Sequence, residues 1–303
     1  MDYSLSKPYL RLFEAFGKAP FDVSSAAKAL NTSFGAAKVV LSRLSGKKSV
    51  FSPARGKYVL IKPDSFVRLG FLAKKNARLA KLAFAVFEEF PSLELLLLYG
   101  SQVAGSADKF SDFDVLVVLP SVPSVEQQGS FKRQVEKRLK LRLHVTFLSR
   151  GSYQTFLLTE PFAGFWFFEG MVFDESDMFK PLPPTAKMGF QEGLRTAQVY
   201  FEAFRNESDG LKKRGFLVKN LRMLFMLENA LIHNYDFSSV RTRLRKAVGE
   251  KLMNVLRGKA LLKGGALPFD ALEKLSRKTF LQVRGAIKRL GENSSDFIWK
   301  SLA

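Results

Sequence analysis

Residues 95–119 have the sequence LLLLYGSQVAGSADKFSDFDVLVVL. Two apolar runs, residues 95–98 and 115–119, are too short to be typical helices. They flank a polar segment that begins with Gly100-Ser101 and ends with Asp112-Phe113-Asp114. Short apolar runs bounded by turn residues are typical of buried strands. The pattern therefore predicts two strands joined through a glycine-serine turn.

The acidic residues before the second run predict a cation site. Alternate residues of a strand share a face, so Asp112 and Asp114 are expected to present both carboxylates on one side. Such carboxylates repel each other unless a cation lies between them, and Mg²⁺ accepts carboxylate and phosphate oxygens. Gly100 lets the backbone approach a phosphate, and N–H groups of a helix starting after Ser101 would face that anion. A solvated acidic pair at a strand end is the simpler alternative.

These residues resemble a known signature. Gly100-Ser101, followed after residues 102–111 by Asp112-Phe113-Asp114, is similar to the nucleotidyltransferase motif of the DNA polymerase β superfamily, especially its minimal nucleotidyltransferases. The resemblance covers about residues 75–180. It implies an α/β (α+β) fold with a mixed sheet, a nucleoside triphosphate as substrate, Mg²⁺ or Mn²⁺ as cofactor and nucleotidyl transfer to a hydroxyl. Gly100 and Ser101 would bind the nucleotide, and Asp112 and Asp114 would bind the metal and act in catalysis.

The next predicted strand, residues 141–148, departs from the family pattern. The family carries a third catalytic carboxylate on this strand, whereas here Arg142, His144 and Thr146 alternate with apolar residues. His144 stands where the third acid is expected and is the third candidate catalytic residue. A neutral imidazole can act as a base or ligand, although it suits Mg²⁺ poorly. A packed or hydrogen-bonded histidine is the alternative, and the departure concerns catalysis rather than the fold.

Composition limits the class of protein. The chain has 303 residues, enough for two or three domains, and no cysteine, which excludes disulfides and thiolate sites. The first residues lack the pattern of a signal peptide, and no apolar run approaches the length of a membrane span. We therefore expect a cytoplasmic protein without a membrane partner.

Positive charge is concentrated outside the predicted catalytic region. The formal net charge is +20, to which residues 1–64 contribute 11 basic and 4 acidic side chains, and residues 186–303 contribute 23 and 11. Residues 65–185 are nearly balanced, with 14 and 13. Such an excess favours binding of nucleic acid through phosphate contacts. A general role in solubility is the alternative.

The first 64 residues predict a winged helix-turn-helix domain. Three helical patterns are followed by two short strand patterns, an order that resembles this fold. In that geometry the third helix enters the major groove of DNA and the wing contacts the backbone or minor groove. The candidate DNA-binding residues are Lys38 and Arg43 on the helix and Arg55 and Lys57 on the wing. A winged helix used only for protein contacts is the alternative.

The remaining segments are predicted to be largely helical. Residues 65–90 form one long or two joined helices that open a nucleotidyltransferase domain, residues 65–180, and a helical bundle occupies residues 185–303. Aromatic residues at 162–168 could stack on a base but are more often part of a core. Two basic clusters of the bundle could bind the phosphates of nucleic acid, and the alternative is that they are solvated helix faces. They are Lys212, Lys213, Arg214, Arg241, Arg243 and Arg245.

Two functional hypotheses follow from these patterns. The first is a Mg²⁺-dependent nucleotidyltransferase acting on RNA or while bound to nucleic acid. The second is a DNA-binding regulator whose nucleotidyltransferase domain is a catalytically weak nucleotide sensor or scaffold. The acidic pair favours the first hypothesis, and the missing third carboxylate favours the second.

Overall fold

The computed structural model describes residues 5–105, 107, 111–178, 185–249 and 269–290. The chain divides into two compact units. One contains Met1–Tyr153 and Gly170–Lys180, and the other contains Gln154–Glu169 and Pro181–Ala303. The first unit is mixed α/β and the second is helical throughout its described part, so the predicted fold class is confirmed.

The first unit begins with three helices and a hairpin, in the order predicted. Their bounds are α1 (Lys7–Phe16), α2 (Val23–Leu30), α3 (Phe34–Gly46), β1 (Val50–Ala54) and β2 (Lys57–Leu60). Ser6, Asp22 and Ser33 cap the three helices by accepting backbone N–H groups. The hairpin is antiparallel and has an irregularity between Phe51 and Ala54. The elements agree with a winged helix, and membership of that family stays a prediction.

The segment predicted as one or two helices forms two, α4 (Pro63–Lys75) and α5 (Ala77–Glu89). They separate at Asn76, whose extended backbone ends α4 and whose side chain accepts the N–H groups of Arg78 and Leu79. The apolar residues of both helices pack beneath the sheet in one core. Phe51 of the hairpin stacks on Phe87 in that core, with ring centroids 6.3 Å apart. The hairpin is therefore anchored to α5.

A four-stranded mixed sheet lies at the centre of the first unit. Its strands are β3 (Leu95–Tyr99), β4 (Phe113–Leu119), β5 (Leu143–Ser149) and β6 (Met171–Asp174), in the order β5-β4-β3-β6. Strands β4 and β5 are parallel and are connected through α6 (Val125–Leu139), whereas the other pairs are antiparallel. Every residue of β3 is buried, which accounts for its continuous apolar sequence. The two predicted strands around Gly100 are thus adjacent in space.

Glu175, immediately after β6, connects the sheet to the N-terminal elements. Its buried carboxylate accepts the Lys62 backbone N–H at 3.1 Å and pairs with the Lys18 ammonium. The Tyr9 hydroxyl donates to the Ile61 carbonyl beside this contact. Burial and the nearby Glu175 carboxylate raise the pKa of the Tyr9 hydroxyl above its usual range, so it remains a donor.

The second unit is an assembly of helices around its own core. Its elements follow β5 and β6 along the chain and are α7 (Arg150–Thr159, whose first turn belongs to the first unit), α8 (Ala163–Glu169), α9 (Lys187–Asn206), α10 (Gly210–Leu231), α11 (Phe237–Val248) and α12 (Phe269–Arg289). Two parts of the predicted bundle, residues 250–268 and 291–303, lie outside the described residues. Phe165 and Phe167 of the aromatic segment are buried, whereas Phe168 is exposed. Each helix in the described part of the chain is too short or too polar to span a lipid bilayer.

Candidate nucleotide site

The acidic pair lies where β4 begins. Asp112 immediately precedes the strand, and Asp114 is its second residue. Phe113 between them is buried in the core, whereas the Asp112 and Asp114 side chains are 49% and 26% exposed. The predicted alternation is therefore confirmed, and both carboxylates are accessible.

Gly100 brings the turn against Asp114. It has φ +79°, a region that favours glycine, and a Cβ placed on it would lie 2.1 Å from Oδ2 of Asp114. Tyr99 on β3 pairs with Asp114 on β4, and this register positions Gly100 beside the carboxylate. Any other residue at position 100 would displace that carboxylate. The structure thus brings together the predicted phosphate turn and one predicted metal ligand.

The segment after Gly100 differs from the prediction. Ala104 N–H donates to the Gly100 carbonyl at 3.0 Å, but residues 101–105 form only hydrogen-bonded turns and no helix starts there. The reason is Gly105, whose φ of +68° departs from helical geometry. Half-buried Ser101 is the first residue of these turns, and Gln102 bridges to the Ser111 carbonyl at 3.1 Å. Any N–H groups offered to a phosphate here belong to these turns rather than to the start of a helix.

Strand β5 and the residue that precedes it supply one partner for each carboxylate. His144 pairs with Asp114 across the parallel strands, and its Nδ1 lies 3.1 Å from Asp114 Oδ1. Arg142 lies two residues earlier, and its Nε is 2.8 Å from Asp112 Oδ1. His144 therefore lies beside the acidic pair, on the strand where a third acid was expected. Arg142 was not predicted as a site residue, although its alternation with His144 put both on one face.

The oxygen donors fit one hard cation. Asp112 and Asp114 provide two accessible carboxylates, which is the donor chemistry that Mg²⁺ takes when substrate phosphates complete its coordination. Across the described ranges, however, no group of three or more His, Cys, Asp or Glu side chains is arranged to hold a metal. Arg142 also competes for Asp112. The site therefore fits a metal shared with a bound phosphate better than a metal held by protein alone.

Comparison with protein families agrees with this geometry. Residues 79–173 match the family model described as the nucleotidyltransferase domain. Over these residues the chain is similar to nucleotidyltransferase domains. The match includes most of α5 and of β6, the whole of β3, β4 and β5, and the Gly100 turn with its acidic pair. No curated protein sequence matches the chain.

Solved structures to which parts of the chain are similar include the following three. Spectinomycin adenyltransferase AAD(9) from Enterococcus faecialis, with ATP and spectinomycin, is 11% identical, covers 70% of this chain and 99% of its own, and has a TM-score of 0.41. A mutant of the toxin-antitoxin MntA-HpeT is 15% identical, covers 41% and 86%, and has a TM-score of 0.25. The tri-AMPylated Shewanella oneidensis HEPN toxin in complex with MNT antitoxin is 14% identical, covers 32% and 69%, and has a TM-score of 0.24.

The candidate DNA-binding residues lie on exposed parts of the N-terminal elements. Lys38 and Arg43 are exposed on α3, and the Lys38 ammonium is 4.7 Å from the centre of the Phe34 ring. Arg55 occupies the turn of the hairpin and Lys57 begins β2. Lys57 lies 3.7 Å from the Asp22 carboxylate. The Ser25 hydrogen bonds, with a smaller effect of Lys57, lower the pKa of Asp22 below its usual range.

The candidate basic residues of the second unit are in unlike surroundings. Lys212 and Arg245 are exposed, whereas the Lys213 and Arg214 side chains cover the Phe204 and Phe269 rings. Arg241 lies over Phe237, and Arg243 lies over Phe225 and pairs with Glu228. Cations held over rings or paired with acids contribute to packing. Of the six, Lys212 and Arg245 are the two exposed residues, whereas the other four are half-buried.

Proposed function

We propose that the nucleotidyltransferase domain transfers a nucleotidyl group from a nucleoside triphosphate to an acceptor hydroxyl. The observation that carries the proposal is the contact between the Gly100 turn and Asp114, with Asp112 beside it. A backbone turn that admits a phosphate and a carboxylate pair that attracts a cation are thereby adjacent. Binding a triphosphate with its divalent cation requires these two features together.

Each residue of the site has a separate role in the proposal. The backbone of Gly100 and Ser101 holds the triphosphate, and Asp112 and Asp114 hold Mg²⁺ or Mn²⁺. The metal would neutralise negative charge on the phosphates. Arg142 pairs with Asp112 and competes with the metal for its carboxylate until the nucleotide and its cation bind.

His144 is the proposed general base. The acceptor oxygen attacks the α-phosphorus, the bond to the pyrophosphate leaving group breaks, and the acceptor proton passes to the free nitrogen of His144. Its Nδ1 faces Asp114, which orients the ring and leaves Nε2 for the acceptor. The imidazole side chain is 64% exposed, so an acceptor can approach it. This role replaces the carboxylate that the superfamily carries on β5.

The proposed acceptor is a nucleic acid, with RNA 3′ ends as the first candidate. Support comes from the basic excess of residues 1–64 and 186–303, which bracket a nearly neutral catalytic region in sequence. Exposed Lys38 and Arg43 on α3 would contact duplex DNA if the N-terminal elements bind in the manner of a winged helix.

A second candidate function is nucleotide sensing by a DNA-binding regulator. It is favoured by the ion pair of Asp112 with Arg142 and the contact of Asp114 with His144, since each carboxylate has a protein partner in the absence of a metal. In that case the domain would bind a nucleotide and change its contacts, but no acceptor would react.

Incubation with labelled nucleoside triphosphates, Mg²⁺ or Mn²⁺ and cellular RNA tests the proposal. Wild-type protein should label RNA, and the double variant Asp112→Asn with Asp114→Asn should neither label RNA nor bind ATP in calorimetry. Glu126→Gln, which changes an exposed carboxylate of α6, is the matched control and should retain both activities. Nucleotide binding without labelling of any acceptor would favour the sensor. Unchanged ATP affinity in the double variant would refute the site.

A further inference from the structure

The second unit contains a basic cavity that is separate from the nucleotide site. It has a volume of about 650 Å³ and lies between α9 and α12, with Asn220 of α10 at its base. We call it the α9–α12 cavity. Its volume falls within the range of about 300–1,000 Å³ that is usual for ligand sites. The Ser276 hydroxyl donates to the side-chain oxygen Oδ1 of Asn220, and Nδ2 of Asn220 donates to the Ala197 backbone carbonyl, so the base is a fixed surface.

The charge lining the cavity is positive. Four cationic side chains contribute, Arg195 from α9 and Arg277, Arg284 and Lys288 from α12, and none of the described lining residues is acidic. Arg195 and Arg277 each form an ion pair with a glutamate on their own helix. Arg284 and Lys288 form no ion pair within the described ranges, and they are exposed one helical turn apart. This pair is therefore available to an anionic ligand.

Aromatic surface accompanies that charge. Phe201 of α9 and Phe280 of α12 both line the cavity and are half-buried, so part of each ring is accessible. The Arg277 guanidinium lies 5.3 Å from the centre of the Phe201 ring, and Glu273 fixes it there. A planar group entering the cavity would meet the partly exposed rings of Phe201 and Phe280 and the Arg277 guanidinium. Anionic groups attached to it would meet Arg284 and Lys288.

We propose that the α9–α12 cavity binds a segment of single-stranded nucleic acid, with a base against Phe201 or Phe280 and phosphates on Arg284 and Lys288. Proteins bind single strands by this combination of base stacking and a basic groove. A duplex is a poorer ligand because its bases are stacked on one another and its width exceeds a concave site of this size. The proposal is independent of nucleotidyl transfer, since it involves neither the acidic pair nor a metal.

The test measures binding of a fluorescent oligouridylate of about twelve nucleotides to the full chain by anisotropy, without nucleotide or metal. The variant Arg284→Glu with Lys288→Glu should weaken binding at least about tenfold and lower the slope of log affinity against log salt by roughly 1.4, because two phosphate contacts are lost. Lys278→Glu with Arg289→Glu makes the same charge change on exposed residues of α12 that do not line the cavity. This control should retain most of the affinity.

Phe280→Leu supplies an independent measurement. It keeps an apolar side chain but removes the ring, and should weaken binding about fivefold or more without changing the salt slope. Circular dichroism melting confirms that each variant is folded.

Several outcomes would overturn the proposal. One is equal loss of affinity in the cavity and control pairs, which would indicate general attraction to a basic surface. Another is competition by polyglutamate, by uridine monophosphate or by duplex DNA that equals competition by unlabelled oligouridylate. Any of these results would show that the cavity does not prefer single-stranded nucleic acid. ATP binding should be unchanged in the cavity variants, so failure here is distinguishable from failure of the proposed transferase site.

Discussion

The Nε atom of Arg142 lies 2.8 Å from Oδ1 of Asp112. The pair connects the residue before β4 to the residue before the parallel strand β5, at the end of the sheet where the chain turns at Gly100. Both side chains are about half exposed or more, so the pair contributes little to stability. The pair affects the site locally. The Arg142 guanidinium occupies one side of the Asp112 carboxylate, which would otherwise attract a cation.

Replacing Arg142 should strengthen metal binding. In Arg142→Gln, Asp112 loses its competing cation, so we expect the affinity for Mn²⁺, measured by electron paramagnetic resonance titration, to rise about 1.5- to 5-fold, the value of an exposed ion pair. Arg133→Gln on α6 removes the same charge from another exposed position and should leave the affinity unchanged. A lower affinity in Arg142→Gln would show that Arg142 supports the metal site.

Adding one methyl group at Gly100 should disable nucleotide binding. The Cβ in Gly100→Ala would collide with the Asp114 carboxylate, whereas Gly105→Ala, also at positive φ, would meet nothing within 4 Å. Both variants should lose about 1–2 kcal/mol of stability from backbone strain. Only Gly100→Ala should lose ATP binding in calorimetry. Equal ATP affinity in the two variants would contradict the role of this turn.

Substitutions of His144 test whether it is the general base or only occupies the position of a missing carboxylate. With His144 as the proton acceptor, His144→Ala should lower transfer about 10²- to 10⁴-fold while ATP affinity stays the same. His144→Asp should also lower transfer. If His144→Asp instead raises transfer, a third carboxylate was what the site lacked, and the proposed base is wrong. No transfer by wild type or either variant, with Mg²⁺ or Mn²⁺, would favour the sensor function.

Charge reversal on α3 tests binding of duplex DNA. Lys38→Glu with Arg43→Glu should weaken binding and lower the slope of log affinity against log salt by roughly 1.8, since each phosphate contact contributes about 0.9. Lys74→Glu with Lys75→Glu on α4 is the matched control, because both lysines are exposed. Deleting the N-terminal elements would be a poorer test, since Phe51 and Tyr9 pack into the cores around them. Equal slopes in the two double variants would exclude α3.

The local features of this protein follow from its sequence. The apolar runs on either side of Gly100 determined two buried strands, and alternation determined that Asp112 and Asp114 share a face away from Phe113. Capping residues at the right spacing determined the starts of α1 to α3. Such features depend on residues close together in the chain, so periodicity is sufficient to predict the strands and the faces of their side chains.

The partners of the site residues were decided only by tertiary structure. Asp112 meets Arg142 and Asp114 meets His144 because β4 and β5 are parallel with Asp114 opposite His144, a register set by core packing on both faces of the sheet. The approach of Gly100 to Asp114 likewise depends on the pairing of β3 with β4. The α9–α12 cavity combines residues more than 80 positions apart, from Arg195 to Arg284. Periodicity within a segment carries no information about such contacts, because they arise when distant elements bury their apolar faces together.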